Sequence, residues 1–170
     1  KNSYSITVNA KDASNTTTQA VTLNVTDVDE APTFTSGSTG TVAENTATGT
    51  VVYTVAATDP ETGTVTYSLS GTDASAFSIG SSTGVVTLNA SANYETKSSY
   101  SLSVIASDAA SHTVSKTVTI SVSDVNEAPT AANFTSAGLT SSTAVTGASV
   151  GTLAAVDPDA GDTHTFTLVA

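Results

Sequence analysis

Side chains that can supply oxygen ligands gather in short runs along this sequence, and two of the runs end at a proline. These two runs are Asp27, Asp29 and Glu30 before Pro32, and Asp124, Asn126 and Glu127 before Pro129. Proline cannot donate to a strand ladder, and it favours an extended conformation in the residue before it. Each run is therefore predicted to carry several oxygen ligands on a stiff, extended connector.

Further acids lie at the ends of predicted strands, away from the two proline-terminated runs. They are Asp59 and Glu61 on either side of Pro60, Asp157 and Asp159 on either side of Pro158, and Asp12 and Asp108. Carboxylates held close together repel one another unless a cation neutralises them. Ca²⁺ accepts about six to eight oxygens in flexible geometry, whereas Mg²⁺ requires a tighter octahedron and keeps more water. Asp, Asn and Pro also form ordinary turns, but recurrence of the Asp-x-[Asp/Asn]-Glu-Ala-Pro run favours calcium.

The elements that must position these acids recur along the chain. The matching segments are Val21–Thr33 with Val118–Thr130, Tyr4–Asp12 with Tyr100–Asp108, and Ala57–Glu61 with Ala155–Asp159. Asp27 and Asp124 are 97 positions apart, so the sequence contains a repeat of about that length. We predict one complete unit at residues 33–128, the closing part of a preceding unit at 1–32 and the opening part of a following unit at 129–170.

Apolar and polar residues alternate within the complete unit, with Gly, Ser and Thr clusters between the alternating segments. The apolar sets that share a face are Val51, Tyr53 and Val55; Val65, Tyr67 and Leu69; Phe77 and Ile79; Val86 and Leu88; Tyr100, Leu102, Val104 and Ala106; and Val118, Ile120 and Val122. Alternation with a period of two is typical of strands with one face in a core. About seven short strands in a unit of this length predict an all-β fold, a Greek-key seven-stranded β-sandwich.

Composition restricts the possible partners. The chain has 15 acidic residues, 4 lysines and a net charge of −11. Because no basic stripe can neutralise phosphates, nucleic acid and anionic lipid surfaces are not expected as partners. The chain has no cysteine, which excludes disulfides and thiolate metal sites. No apolar run is long enough to span a membrane and no signal peptide is visible, so we expect a segment of a longer extracellular polypeptide.

Five segments, in this order, resemble motifs of cadherin repeats in the version common in bacterial surface proteins. They are Ala43–Asn45, Asp59–Glu61, Asn93–Glu95, Val104–Asp108 and Asp124–Pro129. The resemblance implies an extracellular, immunoglobulin-like sandwich that binds Ca²⁺ between consecutive repeats. It also implies that the linker directs alternate side chains and the carbonyls of Val125 and Ala128 toward the ions.

The resemblance further implies how the ligands divide between two junctions. The first junction would use Asp27, Asp29, Glu30, Asp59, Glu61 and Asp108. The second would use Glu44, Glu95, Asp124, Asn126, Glu127, Asp157 and Asp159. Three departures from the family pattern imply fewer ions at some junctions: Asn93 and Glu61 each replace an Asp, and Ser142 stands where Glu44 would align.

Other chemistries have weaker support in the sequence. His112 and His164 have no clustered Cys, His or activated Ser near them in the sequence, which favours surface histidines. Glu44 and Glu95 lack the aromatic platform that a glycosidase would need, and no catalytic role is expected. Asp73 is expected in an ordinary loop.

Three classes of function remain open. The segment could be an extender of a bacterial cell-surface adhesin, a subunit of a self-assembling extracellular filament or matrix, or a carbohydrate-binding accessory module of a secreted enzyme. The expected partners are calcium ions, neighbouring repeats of the same or other copies, and cell-surface proteins or glycans. Absence of Trp makes the carbohydrate-binding module the weakest of the three.

Overall fold

The computed structural model describes residues 1–61 and 63–169, and its regular structure is almost entirely β. The strands are β1 (Ser3–Lys11), β2 (Thr16–Asn24), β3 (Thr33–Phe34), β4 (Thr39–Ala43), β5 (Val51–Thr54), β6 (Ala57–Thr58), β7 (Thr66–Ser70), β8 (Phe77–Ile79), β9 (Val85–Leu88), β10 (Ser99–Ser107), β11 (Thr113–Ser123), β12 (Ala131–Ser136) and β13 (Gly151–Val156). One short 3₁₀ helix, Ala74–Ala76, precedes β8. In the part of the chain that the structure describes, no helix is long and apolar enough to cross a membrane.

Two sheets pack face to face in the middle of the chain. One sheet has the order β4-β11-β10-β7 and the other has the order β5-β9-β8, while β3 pairs with β6. The alternating residues of β10 and β11 face the opposite sheet: Leu102, Val104, Val118 and Ile120 are at most 1 % exposed. They pack with residues such as Val86 of β9 in one apolar cluster. The predicted all-β sandwich is confirmed.

Strand pairing brings the acidic runs to the two ends of the sandwich. β4 and β11 are parallel, with Ala43 opposite Ser123, so Glu44 and the linker that follows β11 leave the sheet side by side. At the other end, Thr33 pairs with Thr58. The linker before β3 therefore reaches the sandwich beside the Asp59–Glu61 segment. Each end thus receives carboxylates from segments that are distant in sequence.

One predicted strand face is wrong at its first residue. Val51 is 55 % exposed, whereas its neighbour Val52 is buried together with Tyr53 and Val55. The pairing of β5 with β9 shifts register between Val51 and Tyr53. A β-bulge adds one residue to a strand and reverses the face of what precedes it, which explains why simple alternation misplaces Val51.

The turn before β9 requires glycine at its last residue. Gly84 has φ +67°, and a Cβ atom at this position would lie 2.2 Å from the carbonyl oxygen of Val55. The Gly84 carbonyl accepts a hydrogen bond from the Val55 amide at 2.9 Å. Any side chain here would separate the backbone of β9 from the end of β5.

Strands outside the central sandwich form two hairpins with uncovered apolar faces. β1 pairs with β2 and β12 pairs with β13. On the first hairpin, Tyr4, Ile6 and Leu23 are 47 %, 51 % and 60 % exposed. Their counterparts in the sequence repeat face the core of the central sandwich. These hairpin faces therefore have core-type side chains without the opposite sheet that covers such side chains in the centre.

Candidate metal centre

The predicted second junction has a buried carboxylate at its centre. Glu44 is only 2 % exposed, and its amide continues the ladder by donating to the carbonyl of Ser123 at 3.0 Å. One carboxylate oxygen accepts a hydrogen bond from the amide of Tyr94 at 2.8 Å, and the other accepts one from the amide of Val125 at 2.7 Å. These two amides lower the pKa of Glu44. Glu44 therefore stays ionised and ties the 93–95 turn to the linker.

Glu127 contributes an oxygen whose hydrogen-bonding capacity is unused. Its Oε1 accepts a hydrogen bond from the side-chain amide of Asn45. Its Oε2 is buried and has no hydrogen-bond partner among residues 1–61 and 63–169. Ligand oxygens of Glu44, Glu95 and Glu127 lie within 4.8 Å of one another. Burial and the nearby Glu44 carboxylate raise the pKa of Glu127 although the Asn45 hydrogen bond opposes the shift.

Acids on both sides of the linker complete this region. Oxygens of Glu95, Asp124 and Asp159 form a second group within 4.8 Å, and the Glu127 amide donates to Asp159 Oδ2 at 2.6 Å. Burial and the Asp159 carboxylate raise the pKa of Asp124. The arrangement is a cluster of hard oxygen donors whose negative charges no basic side chain in these groups balances. Such a donor set suits Ca²⁺.

A third group extends the cluster beyond the predicted residues. Asp157, Asp159 and Asp162 place carboxylate oxygens within 4.8 Å of one another. Sequence reasoning missed Asp162, although the spacing Asp-Pro-Asp-Ala-Gly-Asp was a usable signal. It also missed that the Asn45 side chain contacts Glu127, because only the preceding glutamate was considered as a ligand.

At the first junction, acids of the linker meet acids of the central sandwich. The Glu30 amide donates to Glu61 Oε2 at 3.3 Å, and the Glu61 amide donates to Asp59 Oδ1 at 2.8 Å. A hydrogen bond shared with the Glu30 side chain, together with burial, raises the pKa of Glu61 to about 7. A cation bound between these carboxylates would favour their ionised forms.

Two of the predicted ligands, Asp27 and Asn126, belong neither to the acid groups nor to the contacts among Glu30, Glu61 and Asp59. Asp27 lines a surface pocket with Lys1, Asn2 and Val25, and it joins no group of acids among the described residues. Asn126 turns its side-chain nitrogen toward the carbonyl of Glu127, at 2.9 Å. For these two residues the ligand role has less geometric support than for Glu44, Glu127 or Asp159.

Both histidines have acidic partners, which the sequence interpretation did not foresee. His112 Nδ1 lies 2.7 Å from Asp29 Oδ2 and 3.2 Å from Asp108 Oδ2. His164 Nε2 lies 2.7 Å from Asp157 Oδ2. Hydrogen bonding to Asp29 raises the pKa of His112, and His164 lowers the pKa of Asp157. The sequence interpretation looked only for clustered Cys, His or Ser partners and therefore missed these acids, although Asp108 and Asp157 lie four and seven positions from their histidines.

Asp73 lies in a loop but is held on two sides. It forms an ion pair with Lys97 at 2.5 Å and accepts a hydrogen bond from the amide of Ser101 at 2.8 Å. Its side chain is 14 % exposed. Asp73 lies in a loop as predicted, and its contacts with Lys97 and Ser101, which the sequence did not indicate, fix this loop to the start of β10.

Comparison with known proteins decides the family. The sequence model described as "Cadherin domain" matches residues 38–123, about half of the chain. This chain belongs to the cadherin domain family. Cadherin domains are extracellular, adhesive repeats that bind Ca²⁺, and the predicted resemblance is confirmed at that level. That the cadherin repeats here come from a bacterial surface protein remains a prediction.

Individual cadherins agree with this assignment. The chain is 36 % identical over 119 residues to human Protocadherin Fat 4, which covers 67 % of the chain and 2 % of that protein. Mouse Cadherin-23 EC22-24 matches 74 % of the chain and 43 % of its own length, with 29 % identity and a TM-score of 0.59. The Protocadherin GammaB4 extracellular domain matches 95 % of the chain and 26 % of its own length, with 27 % identity and a TM-score of 0.69. The chain thus spans a small part of these relatives.

Proposed function

We propose that this chain is a calcium-stiffened extender segment of a bacterial cell-surface adhesin, with a structural and not a catalytic role. Ca²⁺ would bind where consecutive cadherin repeats meet. The observation that carries the proposal is the buried, unpartnered Oε2 of Glu127 beside the carboxylates of Glu44 and Glu95. A buried anionic oxygen without a donor is costly, and a cation at this position would supply the missing partner. The absence of cysteine is compatible with a bacterial surface protein.

The proposed repeats are residues 1–32, 33–128 and 129–170. The uncovered apolar faces of the two hairpins support this division, because their side chains correspond to core positions of the central unit. In this scheme Asp27, Asp29 and Glu30 belong to one linker, and Asp124, Asn126 and Glu127 to the next. Residues on both sides of a linker then share the same ions.

Calcium would act mechanically in this scheme. Glu44 already connects the sandwich to the linker through the amides of Tyr94 and Val125. Ca²⁺ bound to Glu127 and Asp159 would attach the following segment to the same end. Without the ion, the clustered carboxylates repel one another and the linker is expected to bend. Consecutive repeats would therefore form a semi-rigid rod only in calcium.

The proposal is tested by small-angle X-ray scattering and thermal melting of the chain during a calcium titration. We expect calcium to lengthen the particle, narrow its distribution of shapes and raise the melting temperature, and EDTA to reverse all three changes. Mg²⁺ at the same concentration serves as the control, because it is a poor fit for a large all-oxygen site. Identical scattering profiles and melting curves in calcium and in EDTA would contradict the proposal.

A second candidate is a filament subunit, in which neighbouring copies of the chain pack against one another through exposed apolar residues. Exposed residues such as Leu23 and Leu153 are 60 % and 46 % accessible, and extensive apolar patches of this kind mark interaction surfaces. Sedimentation velocity over a range of concentrations separates the two candidates. Growth of the particle with concentration supports a filament, and a constant monomeric mass supports the extender.

A further inference from the structure

His112 brings a nitrogen ligand to a junction whose other ligands are oxygens. Its Nδ1 atom lies 2.7 Å from Asp29 Oδ2 and 3.2 Å from Asp108 Oδ2. The Asp108 side chain is 1 % exposed, whereas the side chains of Asp29 and His112 are 41 % and 48 % exposed. The three ligand atoms lie within 4.8 Å of one another. One buried carboxylate therefore faces an imidazole and a more exposed carboxylate.

The corresponding turn of the preceding repeat shows that capping Asp108 does not require histidine. Asn15 is 97 positions before His112 and follows Asp12. Its amide donates to Asp12 Oδ1 at 2.6 Å, just as the His112 amide donates to Asp108 Oδ1 at 2.8 Å. The Asn15 side chain also reaches Asp12 Oδ2, at 3.5 Å. Asparagine thus satisfies the turn, and what histidine adds is an imidazole that reaches the linker acid Asp29.

The geometry points to a second metal site at this position, in which His112 Nδ1, Asp29 and Asp108 bind a zinc-class transition metal ion. Imidazole and carboxylate are both ordinary zinc ligands, and three protein ligands with one open position form a common zinc arrangement. Ligand distances of about 2.0–2.2 Å in a tetrahedron place neighbouring ligand atoms about 3.3–3.6 Å apart. The separation from Asp108 is close to this range, and Asp29 needs to withdraw by about 0.6–0.9 Å, which its exposure on the linker permits.

This site shares Asp29 and Asp108 with the proposed calcium site and differs from it in the imidazole ligand. Ca²⁺ selects oxygen ligands, so the imidazole contributes nothing to calcium affinity, whereas zinc affinity depends on it. The inference uses Asp29 and Asp108, which the proposed function also uses, but it does not require calcium to bind. Loss of one metal and retention of the other are separately measurable.

The test is Zn²⁺ titration of the chelator-treated 170-residue chain by calorimetry, with the His112 ring followed by ¹H–¹⁵N NMR. We expect saturable zinc binding that moves the His112 ring resonances, and His112→Asn to weaken that binding at least tenfold. Asparagine is the matched replacement because Asn15 donates its amide to Asp12 in a turn one residue shorter, as His112 donates its amide to Asp108. The control His164→Asn alters the other acid-paired histidine and should leave the His112 response unchanged.

Two results would overturn the inference. One is zinc affinity in His112→Asn equal to that of the unaltered chain, and the other is a His112 ring signal that zinc does not move. Calcium melts of His112→Asn separate this inference from the proposed function. A retained calcium shift with lost zinc binding supports both assignments. Zinc binding without any calcium shift would contradict only the proposed function.

Discussion

Replacement of Glu127 by glutamine should have opposite effects with and without calcium. Glutamine keeps the size of the side chain and can still accept the hydrogen bond from Asn45, but it removes the negative charge. In EDTA, Glu127→Gln should raise the melting temperature by a few degrees. The reason is that glutamine removes the buried negative charge of Glu127. Burial and the neighbouring Glu44 carboxylate disfavour that charge, which is why they raise the pKa of Glu127. In calcium the same substitution removes a charged ligand and should lower the melting temperature.

The size of the calcium effect follows from binding linkage. At a calcium concentration one hundred times the dissociation constant, one bound ion stabilises the folded state by about 2.7 kcal/mol. For a domain of about 100 residues, such as the proposed central unit, each kcal/mol corresponds to about 4–8 °C. Calcium should therefore raise the melting temperature of this unit in the unaltered chain by about 10–20 °C. If Glu127→Gln weakens calcium binding about tenfold, the shift should fall to roughly half.

The assay is differential scanning calorimetry of both proteins in EDTA and in calcium. Asp12→Asn is the control, because Asp12 caps its own turn through the amides of Ser14 and Asn15 and lies away from both junctions. This control should leave the calcium shift unchanged. A Glu127→Gln protein that melts lower by the same amount in EDTA and in calcium would refute the reasoning, because Glu127 would then have only a packing role.

Three further predictions concern features outside the second junction. The pKa of Glu61 is raised from 4.5 to about 7, so the native state binds more protons between these values and stability without calcium should fall as pH rises from 5 to 8. Chelator melts across this range check the direction, and stability that rises with pH would contradict it. Gly84→Ala should destabilise the sandwich far more than Gly49→Ala, because both residues have positive φ but only at Gly84 would a Cβ atom collide with backbone. Urea unfolding compares the two variants, and equal losses of unfolding free energy would reject the steric argument. Asp73→Asn should lower the melting temperature equally with and without calcium, and a calcium-dependent loss would show that the Asp73 loop communicates with a junction.

The long strands of the central sandwich could be predicted because their residues alternate strictly. Leu102 and Val104 of β10, and Val118 and Ile120 of β11, face the core as expected. This pattern is local, because a strand with one buried face has apolar residues at every second position of its own sequence. The bulge near Val51 could not be predicted from such a pattern, because its position depends on how β5 pairs with β9.

The acidic runs could be located from sequence, but the contacts among them could not. The repeat and the prolines located the two acidic runs, and the structure brings Glu44, Glu127 and Asp159 to one end of the sandwich. The pairing of His112 with Asp29 joins residues 83 positions apart, from 29 to 112, and no periodicity encodes it. Such contacts depend on the parallel pairing of β4 with β11 and on the path of each linker.

The central claim is that calcium binds at the junction that follows β11, and a crystal structure grown with calcium tests it most directly. The account predicts anomalous density for an ion about 2.3–2.6 Å from an oxygen of Glu44 and from Oε2 of Glu127. Water or no density between these carboxylates in a crystal saturated with calcium would contradict it.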